Sequence, residues 1–208
     1  MRDRPILFSA PMVRAILDGR KTMTRRVVRH TPAMTANMME GEEAAWCPYG
    51  GQGMKLWVRE TWTRGSDYWT PHGNWKTGAS AEIRYKADGR NQRECDRQQL
   101  GEWLRKSPER WYPSIFMPRW ASRLTLEVVA VRVERLQDIT EEDATAEGVW
   151  KYDSTVGRYY CMAERQGGVY RHSVSAYREL WDSINAKRGY GWAVNPWVWV
   201  VEFRREPA

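Results

Sequence analysis

The sequence has few cysteines and histidines, which argues against several kinds of site. Its 3 cysteines are an odd number, lie far apart and form no Cys-x-x-Cys motif, and its 3 histidines fall in stretches that look like loops. A disulfide framework, a structural zinc site and a histidine metal site are therefore not expected, and we predict no metal and no cofactor. The residues concerned are Cys47, Cys95, Cys161, His30, His72 and His172.

Long apolar runs are also missing. The longest candidate, residues 197–201, has the length of a strand and not the roughly 20 residues that a bilayer-spanning helix needs. Residues 1–8 lack the longer apolar stretch of a signal peptide. We therefore expect a cytoplasmic protein without a membrane partner.

Basic and aromatic residues are abundant. The chain has 208 residues, with 33 lysines and arginines against 26 acidic residues, for a formal net charge of +7. It has 13 tryptophans and 10 tyrosines but only 3 phenylalanines. A basic surplus favours polyanionic partners, and rings with a polar edge suit base stacking. These features predict a nucleic-acid or nucleoside partner and leave the oligomeric state open.

The hydrophobic pattern predicts short helices and several strands. We expect a long strand with a bulge near Val129 and Ala130, where the apolar residues change parity. We also expect a helix that Thr140 opens as a cap and Gly148 closes. The other expected helices are 10–18, 175–185 and a possible one near 96–106. The expected strands are 56–60 continuing through Trp62, 83–87, 123–136 and 197–203.

The order of these elements does not alternate as in a doubly wound fold. We therefore predict an α+β class, with a small, mostly antiparallel barrel, flanking helices and several loop insertions.

Residues 19–26 concentrate groups that could carry chemistry. A helix end and Gly19 are followed by Lys21, Thr24 and Arg26, which bring an ammonium, a hydroxyl and a guanidinium close together in the chain. A threonine hydroxyl needs a neighbour that accepts its proton before it can act as a nucleophile, and a lysine whose pKa burial has lowered could do this. An exposed basic turn that contacts phosphates remains the alternative.

Two further groups of residues are candidates. Glu147 lies at the end of its predicted helix, where the helix dipole disfavours an acid, so it could polarise a water or pair with Lys21. In residues 57–62, alternation puts Trp57 and Arg59 on one face of a strand and Glu60 on the other, and these side chains could contact a base. Ordinary surface placement and cross-strand packing are the alternatives.

The segment Gly19-x-Lys21-x-x-Thr24-x-Arg26 resembles the signature of the ASCH domain superfamily, whose fold is similar to the PUA RNA-binding barrel. Residues 5–9, 56–62, 118–123 and 195–199 resemble the longer ASCH proteins that phages and prophages often encode. The resemblance implies one ASCH domain over residues 1–208, with insertions near 31–54, 64–81, 88–118 and 151–172.

The small bacterial N4-acetylcytidine amidohydrolases are ASCH proteins that use a lysine, a threonine three residues later and a glutamate on a helix. The resemblance implies Lys21, Thr24 and Glu147 as catalytic residues. Arg26 also matches and is expected to bind substrate, together with Trp57, Arg59 and Glu60, which the strand pattern suggested. The alternatives are a non-catalytic RNA- or DNA-binding module and, with less support, a ribonuclease.

Overall fold

The computed structural model describes residues 3–29, 46–64, 80–88, 91–96, 110–155, 157–161 and 168–207. The chain divides into two compact units. The first unit comprises Met1–Arg4, Ala15–Leu56 and Leu126–Pro207, and the second comprises Pro5–Arg14, Trp57–Thr125 and Ala208. The prediction that the whole chain is one ASCH domain stays a prediction.

Many helices and strands follow the predicted pattern, but strands also lie within the expected loop insertions near 88–118 and 151–172. The α-helices are α1 (Ala10–Leu17), α2 (Glu141–Ala146) and α3 (Ser173–Asn185). The strands are β1 (Arg4–Leu7), β2 (Met23–Val27), β3 (Lys55–Arg59), β4 (Trp62–Arg64), β5 (Ser80–Tyr85), β6 (Asn91–Asp96), β7 (Thr125–Arg135), β8 (Trp150–Ser154), β9 (Gly157–Cys161) and β10 (Trp197–Arg205). Most of the predicted helix at 96–106 lies outside the described residues.

The largest sheet is mostly antiparallel and has the strand order β1-β3-β7-β10-β2. In the first unit, β10 pairs antiparallel with both β7 and β2. The described strands do not close into a barrel, so the predicted barrel is not confirmed, whereas the mixture of helices with a mostly antiparallel sheet agrees with the α+β class. Two smaller sheets have the orders β4-β5-β6 and β8-β9.

One predicted strand is wrong. The segment 56–62 does not run through as a single strand, because β3 ends at Arg59 and Trp62 starts β4, which belongs to a different sheet. The chain leaves the first sheet at Glu60 and Thr61. The predicted alternation nevertheless holds, since Val58, Glu60 and Trp62 are buried while Trp57 and Arg59 are half-buried.

Each unit has its own core. In the first unit, α2 and α3 contribute residues that pack with one face of β2 and β10, and the buried members include Met23, Ala144, Tyr177, Trp181 and Val200. In the second unit, the core consists of Trp62, Ile83, Tyr85, Tyr112, Met117 and Ala121. All three predicted catalytic residues, Lys21, Thr24 and Glu147, belong to the first unit.

Candidate functional site

Lys21 is held inside the first unit by the end of α1. Gly19 has a positive φ of 73°, and the backbone N–H groups of Arg20 and Lys21 both donate to the Ala15 carbonyl at 2.9 Å. This turn points the Lys21 side chain inward, and the residue is only 2% exposed. A glycine is favoured at this turn because other residues rarely adopt a positive φ.

The Lys21 ammonium contacts Glu147, 126 residues later in the chain. Its Nζ donates to Glu147 Oε2 at 2.6 Å, to the Glu147 carbonyl at 2.8 Å and to the Met23 carbonyl at 2.7 Å. An ammonium has three protons, so each proton has an acceptor within the protein. The predicted meeting of these two side chains is therefore present as a buried ion pair.

Helix α2 explains how Glu147 reaches this position. Thr140 Oγ1 accepts a hydrogen bond from the Asp143 N–H at 3.1 Å, which is the predicted N-terminal cap. Glu147 follows the last residue of α2, and the Thr22 N–H donates to the Ala146 carbonyl at 2.9 Å, joining this end to the start of β2. The Lys21 charge offsets the unfavourable position of an acid at a helix C-terminus.

Gly148 lets the backbone pass close to Lys21. Its φ is +96°, and a Cβ atom there would lie 3.0 Å from the Ala15 Cβ and 3.1 Å from the Lys21 Cβ. The glycine predicted to end the helix therefore also provides the space in which the Lys21 stem packs.

The second carboxylate oxygen of Glu147 faces two groups that the sequence did not identify. The Tyr177 hydroxyl on α3 donates to Oε1 at 3.5 Å, and Arg25 Nη1 lies 3.6 Å from the same atom. Arg25 is itself held by Glu134 and Asp143, each 2.5 Å from its Nη2. Glu147 therefore lies among an ammonium, a guanidinium and a phenol.

Burial controls the ionisation of this cluster. Burial lowers the pKa of Lys21 below its ordinary value, although the Glu147 charge opposes the shift, and the charges of Arg26 and Arg25 lower the pKa further. Burial also raises the pKa of Tyr177 well above its ordinary value, with the Glu147 charge acting in the same direction. Tyr177 therefore stays protonated and can donate to Glu147 at neutral pH.

Thr24 and Arg26 lie on β2, directly after this cluster. Thr24 pairs with Val201 and is 3% exposed, and Arg26 pairs with Trp199. Because successive strand residues point to opposite faces, Thr24 and Arg26 share the face opposite to that of Arg25. The roles of Thr24 as nucleophile and Arg26 as a substrate contact stay predictions.

The remaining predicted contacts, Trp57, Arg59 and Glu60, belong to the second unit. Glu60 is 1% exposed, and Arg123 binds both of its oxygens, at 2.9 and 3.0 Å. Burial raises the pKa of Glu60, although Arg123 opposes this shift. Both Glu60 oxygens thus accept hydrogen bonds from Arg123.

Arg123 joins several buried groups of the second unit. Its Nη1 is 2.7 Å from Asp88 Oδ2, and its guanidinium lies 4.0 Å from the centre of the Tyr85 ring. Trp57 is half-buried, with the Arg59 guanidinium 5.3 Å from its ring centre. Glu60 therefore belongs to a buried ion cluster, and Trp57 to a cation–π pair.

Sequence reasoning missed Arg25, Tyr177 and Arg123. Tyr177 could have been found from the helical spacing of Ser173, Tyr177 and Trp181, which are all buried on one stripe of α3. Arg25 and Arg123 gave no such signal, because an arginine at a strand position is usually exposed.

The described part of the chain has no group of three or more histidine, cysteine or acidic side chains that could hold a metal ion. Cys47 and Cys161 are buried free thiols. Among the described residues, no helix is both long and apolar enough to cross a bilayer.

Comparison with known proteins gave no relative. No family model matches the chain, and neither the curated proteins nor the solved structures contain a match.

Proposed function

We propose that the protein is an ASCH-type amidohydrolase that removes an acyl group from the N4 amine of a modified cytosine nucleoside similar to N4-acetylcytidine. The contact between Lys21 Nζ and Glu147 Oε2 at 2.6 Å carries the proposal. Two residues selected from the sequence as catalytic partners, 126 positions apart, form one buried pair. We also propose that the sheet belongs to the PUA-like fold of that superfamily.

The proposed reaction starts at Thr24. Its hydroxyl oxygen attacks the acyl carbon while its proton passes to the neutral amine of Lys21, which the lowered pKa favours. The carbon–nitrogen bond then breaks, and the cytosine amine leaves with a proton from Lys21. Glu147 next takes a proton from the water that hydrolyses the acyl–threonine ester, and this proton passes to the Thr24 oxygen as the ester bond breaks. The products are the cytosine nucleoside and a carboxylic acid.

Two groups would stabilise charge during these steps. The Arg26 guanidinium is the proposed donor to the oxyanion of the tetrahedral intermediate. Lys21 must give up one proton before it can accept that of Thr24, because all three protons of its ammonium are now bound within the protein. Glu147 Oε2, at 2.6 Å, is the proposed acceptor of that proton until it returns to Lys21, and substrate binding is the event that we expect to cause the transfer.

Incubation with N4-acetylcytidine, followed by chromatography of the released cytidine, tests the proposal. We expect turnover by the wild type and a loss of about 100-fold or more in kcat/KM in Thr24→Ala and Lys21→Ala, as is typical for removal of a nucleophile or its base. Thr24→Ser keeps the hydroxyl and should retain much of the activity.

The matched controls are Thr22→Ala and Lys187→Ala, which remove the same groups from exposed positions. Circular dichroism and thermal unfolding show whether each variant is folded. The proposal is wrong if the wild type leaves acylated cytosine nucleosides intact, or if a folded Thr24→Ala turns them over normally.

A second candidate is a passive RNA- or DNA-binding module. It is favoured by the internal acceptors for all three Lys21 protons, an arrangement that also suits a purely structural pair. This candidate predicts salt-sensitive binding of nucleic acid without turnover, and binding that survives in Thr24→Ala.

A further inference from the structure

Arg25 on β2 is a buried arginine whose charge is balanced without Glu147. Its side chain is 0% exposed, and its Nη2 lies 2.5 Å from both Glu134 Oε1 and Asp143 Oδ2. Its Nε also donates to Glu134 Oε1 at 3.1 Å. Two hydrogen-bonded carboxylates are sufficient to compensate one buried guanidinium, so Arg25 does not need Glu147 as a counter-charge.

A second arginine completes the attachment of Arg25. Arg132 on β7 donates from Nε to Glu134 Oε2 at 2.9 Å and from Nη2 to Asp143 Oδ2 at 2.8 Å, and its Nη1 contacts Glu202 on β10. The two arginines and the two carboxylates that they share form a closed ring, which we name the Arg25 ring. Side chains from β2, β7 and α2 therefore hold the Arg25 guanidinium in one position.

The remaining edge of the Arg25 guanidinium faces the proposed catalytic pair. Its Nη1 donates to the Met23 sulfur at 3.3 Å and lies 3.6 Å from Glu147 Oε1. Lys21 Nζ binds the other carboxylate oxygen, Oε2, at 2.6 Å. The Arg25 ring thus places a fixed positive charge beside one oxygen of Glu147, while the ammonium binds the other.

This charge acts on the protonation of the pair. An arginine cannot be deprotonated in a protein, and a positive charge makes neighbouring groups release protons more readily. Burial is the largest cause of the lowered pKa of Lys21, the Glu147 charge opposes it, and the charges of Arg26 and Arg25 lower the pKa further. Tyr177, which also contacts Glu147, stays protonated because burial raises its pKa.

We propose that Arg25 is a positioning residue whose ring-held positive charge sets the protonation of the Lys21–Glu147 pair. A movable arginine would pair fully with Glu147 and compete with Lys21. The ring keeps Arg25 Nη1 at 3.6 Å, where it acts by its charge without displacing the ammonium. The consequence for catalysis rests on the proposed function, in which the Lys21 amine accepts the Thr24 proton.

A direct measurement on Lys21 tests the proposal without any substrate. The protein is prepared with isotopically labelled lysine, and NMR follows the Lys21 signal, identified by its absence from Lys21→Met, as the pH is changed. We expect Arg25→Met to move the titration of Lys21 to higher pH, because a neighbouring positive charge is removed. Glu134→Gln should move it to lower pH, because a negative charge is removed while both ring arginines remain.

The kinetic test uses the same variants with N4-acetylcytidine. Arg25→Met should reduce kcat at pH 7 by about 10-fold and leave KM within about 2-fold, because Arg25 acts on protonation and not on substrate contacts. Part of the loss should be recovered at pH 9, whereas a purely structural defect would lower kcat by a similar factor at both pH values. Arg25→Lys keeps the charge and should retain more activity than Arg25→Met.

The matched controls are Arg204→Met and Glu127→Gln, which remove the same charges from a more exposed pair whose atoms are 2.7 Å apart. Both should leave the titration of Lys21 and the turnover unchanged. Circular dichroism shows whether each variant is folded. Glu134→Gln is nearly isosteric, so it keeps the test decisive if Arg25→Met does not fold.

The proposal is overturned if a folded Arg25→Met titrates at Lys21 as the wild type does, or if Glu134→Gln fails to move this titration to lower pH. Turnover by the wild type separates the two proposals. The expected titration shifts without turnover contradict the proposed reaction alone, and turnover without the shifts contradicts this inference alone.

Discussion

The buried Lys21–Glu147 pair is a costly arrangement for a protein core. Removing two charges from water carries a large desolvation penalty, which good geometry and additional hydrogen bonds must offset. Here Lys21 also donates hydrogen bonds to two backbone carbonyls. Glu147 also accepts a hydrogen bond from Tyr177 and lies beside the Arg25 guanidinium. The pair is therefore stable only while both partners and their surroundings are present.

Removal of one partner should be more harmful than removal of both. We expect Glu147→Ala to lower the free energy of unfolding by roughly 3–5 kcal/mol, because it leaves a buried ammonium beside Arg25. The double variant Lys21→Met/Glu147→Ala should recover part of this loss. Urea unfolding of both single variants and the double variant measures the coupling.

The exposed pair Lys55–Glu206, whose atoms are 2.7 Å apart, is the matched control. The corresponding substitutions there should change stability little, because solvent screens the pair. Additive effects at Lys21 and Glu147 would show that the buried contact carries no special coupling.

At the scale of single residues, the sequence predicted the Lys21–Glu147 pair but not Arg25, which lies beside the other carboxylate oxygen of Glu147. Lys21 and Glu147 were found from a motif and from the position of an acid at a helix end. Arg25 was not, because its burial depends on Glu134 and Asp143, which come from β7 and α2. Contacts between distant segments leave no local pattern in the sequence.

At the scale of elements, one acidic side chain joins α2 to α3. Glu141 starts α2, and its Oε2 accepts the backbone N–H of Ser173 at 2.6 Å, at the first residue of α3. The Ser173 hydroxyl also donates to the Glu141 carbonyl at 2.8 Å. A carboxylate at a helix N-terminus satisfies free N–H groups and interacts favourably with the helix dipole.

The stability contributed by Glu141 should depend on pH. Partial burial acts to raise its pKa, but hydrogen bonds from Ser173 and Val174 outweigh this and hold the pKa below the ordinary 4.5. A lowered carboxyl pKa stabilises the fold above pH 4.5, and this contribution disappears as the pH falls through the folded-state value. His172 Nδ1, 3.6 Å from Oε1, adds attraction when it is protonated.

We therefore expect Glu141→Ala to lower stability at pH 7 by roughly 0.5–1 kcal/mol, a small loss because the side chain is partly exposed. Glu142→Ala, at the adjacent exposed position of the same helix, should have little effect. Thermal unfolding at pH 7 and pH 3 measures both variants. A Glu141→Ala deficit that stays equal at both values would contradict this account.

Local signals predicted the elements well. The parity change in β7 marked a real irregularity, because Ala130 pairs with Glu202 and Val128 with Phe203, leaving Val129 between them. The cap at Thr140 was equally local. The break between β3 and β4 was not predictable, because the alternation of burial continues through it and only the pairing partners change.

At the scale of the whole molecule, the first unit is assembled from segments distant in the sequence. Thr24 on β2 pairs with Val201 on β10, and Val201 also pairs with Val131 on β7. Such pairings must close long loops before they contribute stability. The sequence predicted these strands but not their order, and the predicted barrel is not confirmed by the described strands.

This topology predicts slow folding. We expect refolding after dilution from urea to take milliseconds to seconds, as is usual for domains dominated by long-range strand pairing. Stopped-flow tryptophan fluorescence measures the rate. Val200→Ala, which weakens the centre of β10, should change both the refolding rate and the urea midpoint of unfolding. The exposed Val194→Ala should leave both quantities unchanged. Complete refolding within microseconds would contradict the expectation.

Gly148 has a consequence for how this protein can diverge. Any side chain at position 148 meets both a left-handed backbone and the carbon atoms of Ala15 and Lys21. A substitution there would force the lysine stem to move and so disturb its contact with Glu147. Homologues that retain the ion pair should therefore conserve the residues at positions 15, 21 and 148 together. Homologues that have lost the glycine should have lost the lysine too.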